Sequence, residues 1–93
     1  MTRTQLSARV SGPTRSLATV EPGERVRIAT ILVDSLRKLF NEMGLHEGDT
    51  ISCRSATPGL LLVEAHGGHT VALTKEHARF VRITDLLARI RSA

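Results

Sequence analysis

Three side chains in this sequence have the types and spacing to hold a divalent metal ion: Glu64, His66 and His69, set around the Gly67-Gly68 pair. Imidazole nitrogens and a carboxylate are ordinary ligands for such ions, provided the backbone brings them to one point. A two-residue hairpin loop at Gly67-Gly68 places His66 opposite His69, with Glu64 on the same face. A three-residue loop slips one strand by one position and exchanges its faces, so that Leu61, Val63 and Ala65 join Val71 and Leu73 inside. The second register is favoured because it keeps Glu64 and His66 in water. Two ligands seldom hold an ion tightly and spacing fixes no third, so polar residues at a solvated loop tip are the plainer reading. His46 and His77 stand alone and read as surface residues. Cys53 is the only cysteine. It can form neither an internal disulfide nor a cysteine-pair zinc motif, and its alternation with Ile51 predicts a buried, inert thiol. Ser35 and Ser55 have no histidine and aspartate at an identifiable spacing, and there is no glycine-rich phosphate loop. The sequence reads as a non-enzyme.

The elements that would position these residues are short. From Asp34 to Asp49 the chain reads DSLRKLFNEMGLHEGD, with Leu36, Leu39, Phe40 and Met43 at the spacing of one helical face. Asp34 is placed to cap the first turn, and Gly44 to end the helix in the left-handed conformation while Leu45 folds back onto Phe40. The helix is expected to plug a barrel with Leu39 and Phe40, while its polar side, with Arg37 and Lys38, remains free for a partner. Strands are expected at Arg25–Val33, Thr50–Ala56, Leu60–His66, His69–Thr74 and Arg79–Ile83, with one helical turn at Lys75–Ala78. Glu21-Pro22-Gly23-Glu24 and Thr57-Pro58-Gly59 are turns. Ile83, Leu86, Leu87 and Ile90 form an apolar stripe predicting a short helix over Thr84–Arg91, which either covers the open end of the barrel or drives self-association into a homo-oligomer. Five short strands with regular turns point to an all-β fold, a small antiparallel barrel with one inserted helix and a short C-terminal helix.

With Leu17, Glu21-Pro22-Gly23-Glu24, Val26, Ile28 and the segment LFNEMGLHEG from Leu39 to Gly48, the chain resembles the ferrous iron transport protein A (FeoA) family. The likeness continues through Thr50–Ser55, Pro58-Gly59, Val71-Ala72-Leu73 and Ala78, and its most specific part is Met43-Gly44-Leu45-x-x-Gly48. The resemblance implies an SH3-like barrel, found alone beside a membrane ferrous iron transporter or as the last domain of metal-dependent repressors. It implies iron biology without a reaction, and the cytoplasmic part of an iron transporter as partner. Arg37, Lys38, Met43, Leu60 and Leu62 are the candidate docking residues. Regulation of metal-dependent transcription is one rival, and it needs a DNA-binding helix pair that Met1–Ser16 is too short to supply. Direct carriage of Fe2+ or another divalent metal by Glu64, His66 and His69 is the other. The expected division is a flexible arm over residues 1–16, a barrel over 17–83 and a helical extension over 84–93.

Composition excludes several alternatives. A chain of 93 residues forms one domain whose core supplies only about 3 to 5 kcal/mol. No stretch approaches the roughly 20 apolar residues of a membrane span, and Arg3, Gln5, Ser7 and Arg9 break any secretory signal, so a cytoplasmic location is expected. The net charge is +4, but between Leu17 and Ile83 eight basic residues meet eight acidic ones. The excess lies in the arms, which argues against a dedicated nucleic-acid surface on the barrel. There is no Trp or Tyr, and Phe40 and Phe80 both fall in apolar patterns expected to be core. Proline-rich recognition and base stacking are therefore poor fits.

Overall fold

Val26, Ile28 and Ile31 alternate with exposed Arg25 and Arg27, and Ile51 and Cys53 alternate with Ser52 and Arg54. Strands patterned this way can bury only one face, so they must curl around a shared interior. In the computed structural model, which describes residues 14–86, six antiparallel strands do so as a small SH3-like barrel. They are β1 (Arg15–Ser16), β2 (Arg25–Ile31), β3 (Thr50–Ala56), β4 (Leu60–Glu64), β5 (Thr70–Thr74) and β6 (Val81–Asp85). Helix α1 (Asp34–Glu42) is inserted between β2 and β3, and the single turn α2 (Lys75–Ala78) between β5 and β6. The order across the sheet is β1-β6-β2-β3-β4-β5. Irregularities at Ala29 and Arg54, where the pairing shifts by one residue, bend β2 and β3 as closure demands.

The interior is filled by Leu17, Ile28, Ile31, Phe40, Leu45, Ile51, Leu61 and Ile83, each essentially without solvent contact. Helix α1 contributes Leu36 and Phe40 to it. Its end is a Schellman arrangement: Gly44 takes φ +86°, its N–H donates to the Asn41 carbonyl at 3.0 Å, and the Leu45 N–H donates to the Phe40 carbonyl at 2.9 Å. Leu45 is thereby delivered into the core directly beneath the helix.

The β4–β5 hairpin adopts the three-residue loop. Val63 pairs with Val71 and Leu61 with Leu73, the Ala65 N–H donates to the His69 carbonyl at 2.8 Å, and Gly68 takes φ +98°. Leu61, Val63 and Ala65 are accordingly inside.

Several expectations need correction. Asp34 is the first helical residue rather than the cap; Val33 occupies the cap and offers no side-chain acceptor. Leu39 (36 % exposed) and Phe80 (40 %) are not core. Leu39 lies beyond the narrow stripe that α1 turns to the barrel, and Phe80 sits just before β6, where the Arg79 guanidinium covers its ring at 5.8 Å. A sixth strand forms because Arg15 and Ser16 pair with Ile83 and Arg82. Arg15 is fixed there by Glu24 at 2.9 Å and Asp85 at 2.8 Å, while Ser16 caps the 3-10 turn Leu17–Thr19 through the Ala18 N–H at 3.0 Å. At the other end Thr84 and Asp85 extend β6 opposite Arg27 and Val26, so no helix starts at Thr84 and Ile83 faces the core. The rest of the expected tail helix, Leu87 to Arg91, lies outside the described residues, as does most of the leading arm. The sheet thus reaches two residues beyond each edge of the expected 17–83 barrel.

Phe40→Ala removes the largest fully buried side chain. A loss of about 3–5 kcal/mol is expected, enough to leave little folded protein in urea or thermal denaturation followed by circular dichroism.

Candidate interaction surface

The hairpin register decides the fate of the metal candidates. Glu64 faces Thr70 across the ladder, and its carboxylate accepts from the Arg54 guanidinium at 3.0 Å. His66 sits exposed in the loop. His69 points the other way, its Nε2 3.1 Å from the Met43 carbonyl oxygen. The structure therefore does not gather Glu64, His66 and His69, because the register that makes the histidines cross-strand neighbours is not the one formed. Among the described residues no three His, Cys, Asp or Glu side chains converge. Cys53 is buried with its Sγ 3.6 Å from the Ser55 carbonyl oxygen, and burial pushes the thiol pKa up, keeping it protonated.

The docking candidates divide into two groups. Arg37 is engaged within the chain: it donates to the Ile31 carbonyl at 2.9 Å, to Glu47 at 3.4 Å and to Asp34. Glu47 in turn accepts from the Ile31 N–H at 2.7 Å and the Thr30 hydroxyl at 3.2 Å. The Ile31 N–H, more than any other partner, holds the Glu47 carboxyl below its usual range, with Thr30 and Arg37 assisting. This network clips the start of α1 and the loop after it to the end of β2, a task that sequence spacing did not disclose. Met43, partly buried, packs against the core and lends its carbonyl to His69. Lys38 is exposed and has no ion pair among the described residues.

Leu60 (43 % exposed) and Leu62 (36 %) behave differently. They stand on the outer face of β4, beside Thr74 and Ala72 of the edge strand β5. Glycine turns on either side hold this hairpin: the Thr57 N–H and the Leu60 carbonyl close the Pro58-Gly59 turn at 2.9 Å. The two leucines are therefore presented side by side on a hydrogen-bonded hairpin.

Substitutions at Gly44, His69 and Glu47 test these contacts. A Cβ at Gly44 would lie 2.8 Å from His69 Nε2 on a backbone at φ +86°, so Gly44→Ala should cost about 1–3 kcal/mol in urea unfolding, and adding His69→Ala should restore only part of it. Glu24 also has a lowered pKa, held first by the Glu21 N–H and then by Arg15. Carboxylates depressed on folding stabilise above their unfolded value of 4.5 and lose that contribution as pH falls through the lower folded value. Thermal stability should therefore decline below about pH 4.5, and less steeply in Glu47→Gln.

Comparison with known proteins fits this geometry. The sequence has no significant match among curated proteins. In structure the chain is similar to an FeoA-like protein from Clostridium acetobutylicum, with 20 % identity, TM-score 0.74, and 88 % of this chain and 98 % of that one covered. It is also similar to a crystallised iron uptake regulatory protein (FeoA), with 28 % identity, TM-score 0.72, and 81 % and 100 % covered. A manganese-dependent transcriptional repressor in complex with manganese shares the fold at 20 % identity and TM-score 0.74, this chain matching 38 % of its length. The family model described as the FeoA domain matches residues 15–85, the same span that β1 to β6 enclose, and the chain belongs to the FeoA domain family.

Proposed function

We propose that this chain is a non-enzymatic accessory module of ferrous iron transport that docks onto the cytoplasmic part of a membrane iron transporter and regulates it. The match to the FeoA domain over residues 15–85 carries this reading. The site geometry supports it: the barrel presents Leu60 and Leu62 to solvent on the outer face of β4. No described helix is long and apolar enough to cross a membrane, which suits a module acting on the domain of a transporter outside the bilayer.

A second reading, a regulatory domain of metal-dependent transcription control, draws on the fold shared with the manganese-dependent repressor. In that case the barrel would act beside a DNA-binding unit, which the β1–β6 module itself does not contain.

Deleting the gene should reduce ferrous iron uptake, and unchanged uptake would count heavily against the transport reading. The full chain should be captured by the cytoplasmic domain of its cognate transporter. Leu60→Asp with Leu62→Asp should weaken that capture by about tenfold or more, while circular dichroism stays unchanged because neither side chain is in the core.

A further inference from the structure

The barrel is neutral in sum but not in arrangement. Arg25 and Arg27 share the outer face of β2, next to Ser52 and Thr50 of β3 through the register Arg25↔Ser52 and Arg27↔Thr50. Arg54 stands on the same face, two residues beyond Ser52, and Leu62 and Leu60 follow on β4. Two open hollows of about 260 and 390 Å³ meet along this surface, both bounded by Arg25 and Ser52; one reaches Glu64 and His66, the other Arg54.

Arg25 and Arg27 have no ion-pair partner among the described residues, unlike Arg15, Arg37 and Arg54. Two like charges on neighbouring positions of one strand face repel each other unless an anion lies between them. All nine acidic side chains fall between Glu21 and Asp85, and among the described residues none pairs with Arg25 or Arg27. A partner's carboxylate would relieve that repulsion. The face already displays how a carboxylate seats on it, since Arg54 holds Glu64 at 3.0 Å.

We propose that this face binds an acidic segment of a partner protein, with the partner's carboxylates on Arg25 and Arg27, beside the Arg54–Glu64 pair, and an apolar side chain on Leu60 and Leu62. The inference deepens the docking reading above and rests on it. An acidic polypeptide fits better than a nucleic acid on two counts. The exposed leucines ask for an apolar group that a phosphate backbone lacks, and among the described residues no phenylalanine lies on this face for a base to stack against, since Phe40 is buried and Phe80 precedes β6.

The test titrates the full chain against a fluorescein-labelled peptide alternating glutamate and leucine, read by fluorescence anisotropy, with a lysine-leucine peptide and a single-stranded oligonucleotide as comparisons. The glutamate peptide should bind, more weakly as salt rises, and Arg25→Glu with Arg27→Glu should weaken it by about tenfold or more. The milder pair Arg25→Gln with Arg27→Gln should reduce it in the same direction, and both pairs should keep the parent circular dichroism, since both residues are exposed. No binding of the glutamate peptide, indifference to both arginine pairs, or tighter binding of the oligonucleotide would each overturn the proposal. Capture by the transporter's cytoplasmic domain, run in parallel, separates the two readings. Undiminished capture of the arginine variants would sink this surface and leave docking intact. Peptide binding without capture would support the surface and remove the transporter as its partner.

Discussion

The pairing of β4 with β5 is the constraint on which most of the molecule depends. Gly68 at positive φ lets three residues close the hairpin, and that choice assigns every side chain from Leu60 to Thr74 to one face or the other. Leu61, Val63 and Ala65 then complete the interior around Phe40 and Ile51. The same choice leaves Leu60 and Leu62 outside, puts Glu64 within reach of Arg54, and separates His66 from His69. Core and surface are thus two results of one turn.

His69 links this hairpin to the other device that organises the fold, the end of α1. Its imidazole meets the Met43 carbonyl in the last turn of the helix, where carbonyls lack partners within the helix. Gly44 leaves room for that approach and also reverses the chain so that Leu45 enters the core. The helix, the loop after it and the β4–β5 hairpin are therefore coupled through a few atoms. Glu47 and Arg37 do the same for the start of the helix, on the opposite side of the loop.

What the sequence disclosed follows from the range of the signals. Periodicity over seven residues was enough to read β3 at Thr50–Ala56, and glycine chemistry the stop at Gly44, whereas two hairpin registers stayed open until the Ala65–His69 bond and the pairing of Val63 with Val71 selected the three-residue loop. A two-residue strand such as Arg15–Ser16 has no period; it forms because Arg15 finds Glu24 and Asp85, partners remote in sequence. The stripe of Ile83, Leu86, Leu87 and Ile90 suggested a helix, but Ile83 and its neighbours also suit a strand, and pairing with β2 decided it. Phe80 looked internal by type alone, yet it belongs to the corner before β6. At the candidate site, Leu60 and Leu62 followed from alternation, whereas the role of Arg37 depended on carbonyl and carboxylate groups that only folding brings near. The balanced charge of the barrel concealed the clustering of Arg25, Arg27 and Arg54, because net charge says nothing about which side of a sheet carries it.

Antiparallel pairing of β1 with β6 has a further effect. Arg15 lies opposite Ile83 and bonds Asp85, while Arg82 holds the Thr14 carbonyl at 2.9 Å. Entry and exit of the polypeptide are therefore at one corner of the barrel, as in domains that accept circular permutation or insertion into a host protein. A short bridge from Leu86 to Thr14 could rejoin the ends, and new termini could open at the Pro58-Gly59 turn without disturbing the ladder between first and last strands.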